Sequence, residues 1–319
     1  MRRSTLIATG VLGLLVACGG GGGDATTTSS SAPITQSSAV AQAGASGQAA
    51  AGATVPAVNA LKNPTNRSFA DQPDDNSDPQ IHIVYAVPAD GQDNRFDLGG
   101  IIANTTGSWN NWLGNQAGGR RLRIDTVNSD TIDVTFVRLP YTEAMLESYG
   151  TKKRDQIEIT LGSVMELSDN KIYLVYYDGP NPRTCADAPH PPQLDGRVAV
   201  YYLHGLEGTK YRPCTNLTDT VNGMPFAASP TAAPGYVDFS ALHELLHAQG
   251  LVDFNAPDET LNGHVGSDAN DLMYAGTQNW GCVEPKGQCT LDVSRKNYYN
   301  PAGLANGLKN LADSVFLTK

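Results

Sequence analysis

The residues best placed to do chemistry are His243-Glu244-Leu245-Leu246-His247 in a chain of 319 residues. Side chains four apart on a helix lie one above the other, with Cβ atoms about 6 Å apart. Two imidazoles so placed reach a single tetrahedral cation, and the carboxylate beside the first is angled toward a water on that cation. With 6 histidines in the chain, composition alone predicts only about 0.003 chance matches to such a pattern. A purely structural cation site has no use for that carboxylate and usually fills all four positions with protein ligands. The pattern therefore points to metal-assisted hydrolysis, with His243 and His247 as ligands and Glu244 as the proton carrier. Three protein ligands leave a fourth position for water, so a further ligand has to come from outside the pentapeptide. Two candidates follow it, Asp253 and His264. His264 is favoured, because neutral imidazole is the commonest side-chain metal donor. Asp268 and Asp271 are candidates to orient a ligand imidazole, or else to cap loops.

The pentapeptide needs a helix to carry it. Asp238 is suited to the N-cap, and Phe239, Leu242, Leu245 and Leu246 form an apolar side for the core. Gly250, three residues past His247, can take a left-handed conformation and turn the chain back toward the metal. Upstream, apolar runs at 81–87, 171–177 and 198–203 read as buried strands, and 121–127 and 132–139 as two alternating strands joined by a hairpin at Asn128-Ser129-Asp130. Helices are expected at 98–113, 141–149 and 154–167, with Gly118-Gly119 stopping the first. A Pro- and Gly-rich connection occupies 205–237. Strands alternating with helices predict an α/β domain, a mixed sheet packed with helices, followed by a loop-rich C-terminal part.

The pentapeptide resembles the active-site helix of the zincin metallopeptidases. Carried on to Ala248-Gln249-Gly250, it resembles the metzincin branch, in which a further ligand, usually His, follows three residues after the Gly. Here that position is Asp253, which resembles the snapalysin group of small secreted bacterial zinc proteases. Asp271-Leu272-Met273-Tyr274 would correspond to the metzincin Met-turn. The stretch through Ala256-Pro257, His264 and Met273 also resembles a group of secreted bacterial zincin-like proteins that share the late His and do not require the acid. The resemblance covers about 35 residues. It implies one zinc ion, an α+β zincin-like fold and hydrolysis of a peptide or protein substrate, with Glu244 as general base. It leaves Tyr274 open between a hydrogen bond to the developing oxyanion and simple aromatic packing.

The N-terminus reads as an export signal at 1–17: Arg2 and Arg3, then a short apolar run at 6–16. The run is too short to span a membrane. Leu15-Val16-Ala17-Cys18 resembles a bacterial lipobox, which implies lipid on Cys18 and anchorage to the cell envelope. Gly19 after the cysteine points to the outer membrane if the cell is Gram-negative. Residues 18–77, rich in Gly, Ala, Ser and Thr, are expected to be a disordered tether, and 78–319 the folded domain. Loss of Arg2 and Arg3 with the signal takes the net charge from −10 to −12. No basic patch suits a nucleic acid, and the expectation is a monomer. Four cysteines remain in an exported chain, which favours disulfides. Local pairing, Cys185 with Cys214 and Cys282 with Cys289, is preferred over one four-cysteine zinc site. His82 is expected to be a hydrogen-bonded core residue, His190 an exposed loop residue, and His204 a strand-end residue near the cleft. Two other functions remain open: a non-enzymatic metal-binding surface lipoprotein, and a zinc hydrolase of cell-wall amide bonds.

Overall fold

The computed structural model describes residues 61–204, 226–282 and 288–319. Strands β1 (Gln80–Val87), β4 (Val134–Arg138), β5 (Lys171–Tyr177) and β7 (Val198–Tyr202) run parallel, and β6 (Ala186–Asp187) adds an antiparallel edge. The order across the sheet is β4-β1-β5-β7-β6. A small hairpin of β2 (Thr126–Val127) and β3 (Thr131–Ile132) lies apart from it. Every residue of β1, β5 and β7 is buried, as expected of parallel strands covered on both faces.

Successive side chains of a strand point to opposite faces, and the register puts like with like. Ile83 pairs with Leu174 and Leu174 with Ala199, while Tyr85 pairs with Tyr176 and Tyr176 with Tyr201. This set packs against α1 (Ile101–Gln116) and α4 (Tyr236–Ala248). The alternate set of Val84, Val175, Val200 and Tyr202 packs on α2 (Glu143–Glu147) and α3 (Lys153–Val164) through Leu146, Ile157 and Leu161. The result is a three-layer α/β architecture with a mostly parallel sheet. After Ala248 the described residues hold only short 3-10 turns at Ala305–Gly307 and Leu311–Asp313, so the C-terminal part is built from loops. Among the described residues no helix is long and apolar enough to cross a membrane.

Three expectations change. The strand expected at 121–127 is reduced to its last two residues. The backbone at 121–123 bonds instead to the C-terminal tail, through Arg123 N to Phe316 O at 2.7 Å and Thr318 N to Arg121 O at 2.8 Å. The hairpin turn itself is where expected. Asn128 and Ser129 both take positive φ (56° and 73°) in the three-residue loop between the paired Val127 and Thr131, a left-handed backbone in which Asn is enriched. Second, residues 61–77, assigned by composition to the tether, pack on the domain. Lys62 bonds to Asp130 and Ile132 along the backbone. Arg67 is paired with Asp93 and Asp97, and Asp71 and Asp74 with Lys171. Charged anchors hold this segment where apolar residues are scarce. Third, α4 is capped at Gly235, and Asp238 sits at its third helical position, where Oδ2 accepts from Gly235 N at 2.6 Å. The helix thus starts one turn earlier than its capping chemistry suggested. The export signal, Cys18 and most of the tether lie outside the described residues, as does the larger part of the 205–237 connection.

Candidate metal centre

Helix α4 packs on the sheet alongside α1, with Phe239, Leu242, Leu245 and Leu246 buried. That fixes the rotation of the helix and turns His243 and His247 to a common side, their ring centroids 4.7 Å apart. The helix ends as expected at Gly250 (φ 68°). Gly250 N bonds to His247 O at 2.6 Å, and Leu251 N to Leu246 O at 3.1 Å. Gly is required there twice over. The left-handed backbone disfavours other residues, and a Cβ would stand 2.1 Å from the carbonyl oxygen of Pro191.

The loop beyond Gly250 brings back His264. Thr260 N bonds to His264 O, and Val265 is stitched between Met273 O (2.8 Å) and Ala275 N (3.1 Å). The same stretch turns at 271–274, with Tyr274 N on Asp271 O at 3.1 Å. His247 Nε2 then lies 3.0 Å from His243 Nε2 and 3.2 Å from His264 Nε2. A tetrahedral cation with Zn–N bonds of about 2.05 Å needs nitrogens roughly 3.3 Å apart, so the three histidines fit such an ion. His243 Nδ1 donates to Leu272 O and His264 Nδ1 to Leu261 O, both at 2.8 Å. A carbonyl can only accept, so each of these rings carries its proton on Nδ1 and turns a bare Nε2 inward. Backbone carbonyls thus play the orienting part considered for Asp268 and Asp271. Asp268 Oδ1 accepts from Asn270 N, and Asp271 accepts from Met273 N, Val293 N and the Tyr298 hydroxyl, holding the turn itself.

Burial, then the charge of His264, lowers the His243 pKa to about 3, with the Leu272 carbonyl opposing. His247 is held well below its ordinary value by burial and by His264 and His243. His264 is lowered by burial against the pull of Leu261. Three neutral nitrogen lone pairs facing one point are the state a metal requires. Glu244 keeps a partly exposed side. Burial, followed by the charge of Asp187 on β6, raises its pKa well above the usual carboxylate range, and Arg154 pulls the other way.

Asp253 does not join the three histidines. Its Oδ1 accepts from the backbone N and side-chain Nδ2 of Asn255 at 2.8 and 2.9 Å, closing a local turn. Tyr274 is buried, and its hydroxyl accepts from Gln278 N at 3.0 Å. His204 Nε2 lies 2.5 Å from Asp178 Oδ1, and Asp178 also takes the Tyr85 hydroxyl and Asn94. His82 is the core residue expected, between Asp125 (2.7 Å) and Thr135 (2.9 Å). His190 is the exception: it is buried, not exposed. Its Nε2 donates to Leu251 O at 2.8 Å, and its ring stacks on Phe254 and stands edge-on to His247. Its flanking prolines suggested a surface loop, but the turn at Gly250 covers it. Asp187, the carboxylate nearest in effect to Glu244, gave no sequence signal because its strand has only two residues. Cys282 and Cys289 form a disulfide, which removes them from any four-cysteine metal site. Cys185 is disulfide-bonded as well, and Cys214 lies outside the described residues.

No family profile matches the chain, and no curated protein does. Among solved structures it is similar to OgpA from Akkermansia muciniphila. A catalytically inactive form in complex with an O-glycopeptide substrate matches at 13% identity and TM-score 0.27, over 48% of this chain and 40% of that one. Two crystal forms of the wild type match at 12% identity. One has TM-score 0.33 over 73% and 61% of the two chains, the other TM-score 0.29 over 77% and 69%. The chain thus spans less than two thirds of the first two, and overlaps this slight carry no functional argument.

Proposed function

We propose that the chain is a zincin-like zinc metallopeptidase, held at a bacterial cell envelope by lipid on Cys18, that hydrolyses peptide bonds in peptide or protein substrates. The observation that carries this reading is the convergence of the His243, His247 and His264 Nε2 atoms within 3.0–3.2 Å contacts, with Glu244 next along the helix. Those three nitrogens would hold one zinc ion. When bound, zinc acts as a Lewis acid toward a carbonyl and lowers the pKa of a water to about 7. The Leu272 and Leu261 carbonyls fix the tautomers of two of the three donors, His243 and His264. Glu244, beside the His243 ligand on the same helix, would accept a proton from the attacking water and pass it to the leaving amine. The turn at 271–274, read from the metzincin resemblance as a Met-turn, supports this reading. Its Met273 is fully buried and its Leu272 carbonyl holds His243.

Elemental analysis of protein purified without chelator should give one zinc per chain. Glu244→Gln should keep that zinc and lose cleavage by about 10²–10⁴-fold. A wild-type protein that takes up no divalent metal on titration ends the reading. Zinc binding with no cleavage of casein or a broad peptide library makes the protein a metal-binding lipoprotein instead. Release of products from purified peptidoglycan alone moves the substrate to cell-wall amides.

A further inference from the structure

Two of the three converging imidazoles have a visible acceptor for their outer N–H, and the third does not. His243 uses Leu272 O and His264 uses Leu261 O, whereas His247 Nδ1 is buried with no partner. When its Nε2 ligates a metal with the other two rings, His247 must carry its proton on Nδ1, a buried donor in need of an acceptor. A buried donor left without an acceptor is destabilising. A complementary orphan lies on the neighbouring ring. His190 gives its Nε2–H to Leu251 O, which makes Nδ1 of the neutral ring a bare acceptor, and that atom too is buried with no partner. The two ring centroids are 5.5 Å apart, edge to face at 76°. The His190 ring is clamped between Phe254, stacked at 5.2 Å, and Gly263, where a Cβ would come within 2.5 Å of Nε2.

We propose that His190 is the positioning residue of the metal centre, accepting the His247 Nδ1–H through its own Nδ1, directly after a small ring rotation or across one buried water. This rests on the metal-binding reading above and adds the tautomer of the third ligand. Outer partners of metal-bound histidines raise ligand basicity and fix ring orientation, and their loss weakens metal binding by about 10–100-fold.

The test uses the full zinc-loaded chain. Long-range 1H–15N spectra should show His190 protonated on Nε2 alone and a His247 Nδ1–H protected from solvent exchange. A His190 proton on Nδ1, or a rapidly exchanging His247 Nδ1–H, overturns the proposal without any variant. Chelator competition should give 10–100-fold weaker zinc binding for His190→Phe, which keeps the stacking ring. His190→Asn, whose amide oxygen takes the place of Nδ1, should recover most of it. Equal affinity of wild type and His190→Phe, or equal losses in Phe and Asn variants, overturns it as well. A wild type that takes up no zinc overturns both this inference and the reading beneath it, whereas a zinc-binding wild type with the wrong His190 tautomer overturns this inference alone.

Discussion

Among the described residues two clusters bring metal-ligating atoms within 4.8 Å of one another: His243, His247 and His264, and Asp71, His82, Asp125 and Asp133. They answer the burial of polar groups in opposite ways. The second cluster contains its own cation. Lys171 Nζ lies 2.6–2.8 Å from Asp71, Asp74 and Asp125, and His82 bridges Asp125 to Thr135. Burial pushes the Asp125 pKa upward, but hydrogen bonds from His82 and Lys171 outweigh it and hold the carboxyl below its usual range. The three-histidine cluster holds no such cation, and two of its rings, His243 and His264, turn their protons outward to backbone carbonyls. Proximity of donors is common to both, and the charge already supplied by the protein separates them. One is an internal ion network that ties residues 61–77 to the sheet, and the other, on the proposed reading, takes its charge from a bound metal.

The sharpest way to break that contrast is to remove a donor from each side. His264→Ala should weaken zinc binding by more than the 10–100-fold that loss of an outer hydrogen bond costs. Asp125→Asn should leave zinc stoichiometry unchanged. A zinc stoichiometry that follows Asp125 and not His264, read by elemental analysis after dialysis, would invert the assignment. Lys171→Met should destabilise the fold by about 3 kcal/mol in urea unfolding, because it strands buried carboxylates. Metal affinity should be untouched.

Gly250→Ala should cost about 2 kcal/mol, from the left-handed backbone and the approach to Pro191 O. It should also weaken zinc binding, since the turn carries both His190 and the His264 loop. A thermally neutral Gly250→Ala would mean the turn is less constrained than its geometry implies.

The pH dependence of stability should also separate the regions. Burial raises Asp133 and Asp187 to about 6 and Asp238 and Asp271 to about 7. An acid with a raised native pKa stabilises the fold below its unfolded value near 3.8 and loses that contribution as pH rises through the native one. Zinc-free protein should therefore lose stability between about pH 4 and 7 from these groups. Asp93, Asp125 and Asp178, whose pKa values are lowered, act in the other direction, stabilising above the unfolded value and losing that as pH falls. Asp133→Asn should flatten the decline between about pH 4 and 6 in thermal scans, by on the order of 1 kcal/mol per pH unit. An unchanged slope would place the Asp133 carboxyl outside the network. The smallest effect is expected at Asp253, where Ala should change zinc affinity less than about twofold, well short of the loss of a metal ligand.

Much of the sheet was legible in the sequence, because buried parallel strands are continuous apolar runs. The strands at 81–87, 171–177 and 198–203 needed only small adjustments of their ends. Short or edge elements were not legible. Two-residue β6 has no periodicity to read, and 121–124 alternates like a strand but divides its backbone bonds between the C-terminal tail and the start of β1. The segment at 61–77 has the composition of a tether, yet a few aspartates and Arg67 are enough to hold it.

Sequence by itself determined the pair His243 and His247, because helical geometry is local and four residues always make about one turn. It also determined that the chain must reverse at Gly250, for the same local reason. Only the tertiary structure brought His264 to the pair while Asp253 closed its own turn. Only it set the Leu272 and Leu261 carbonyls behind two rings and buried His190 behind the third. Those placements depend on where a loop with few side-chain signals is stitched to a distant turn by backbone hydrogen bonds, and every residue type carries the same backbone groups.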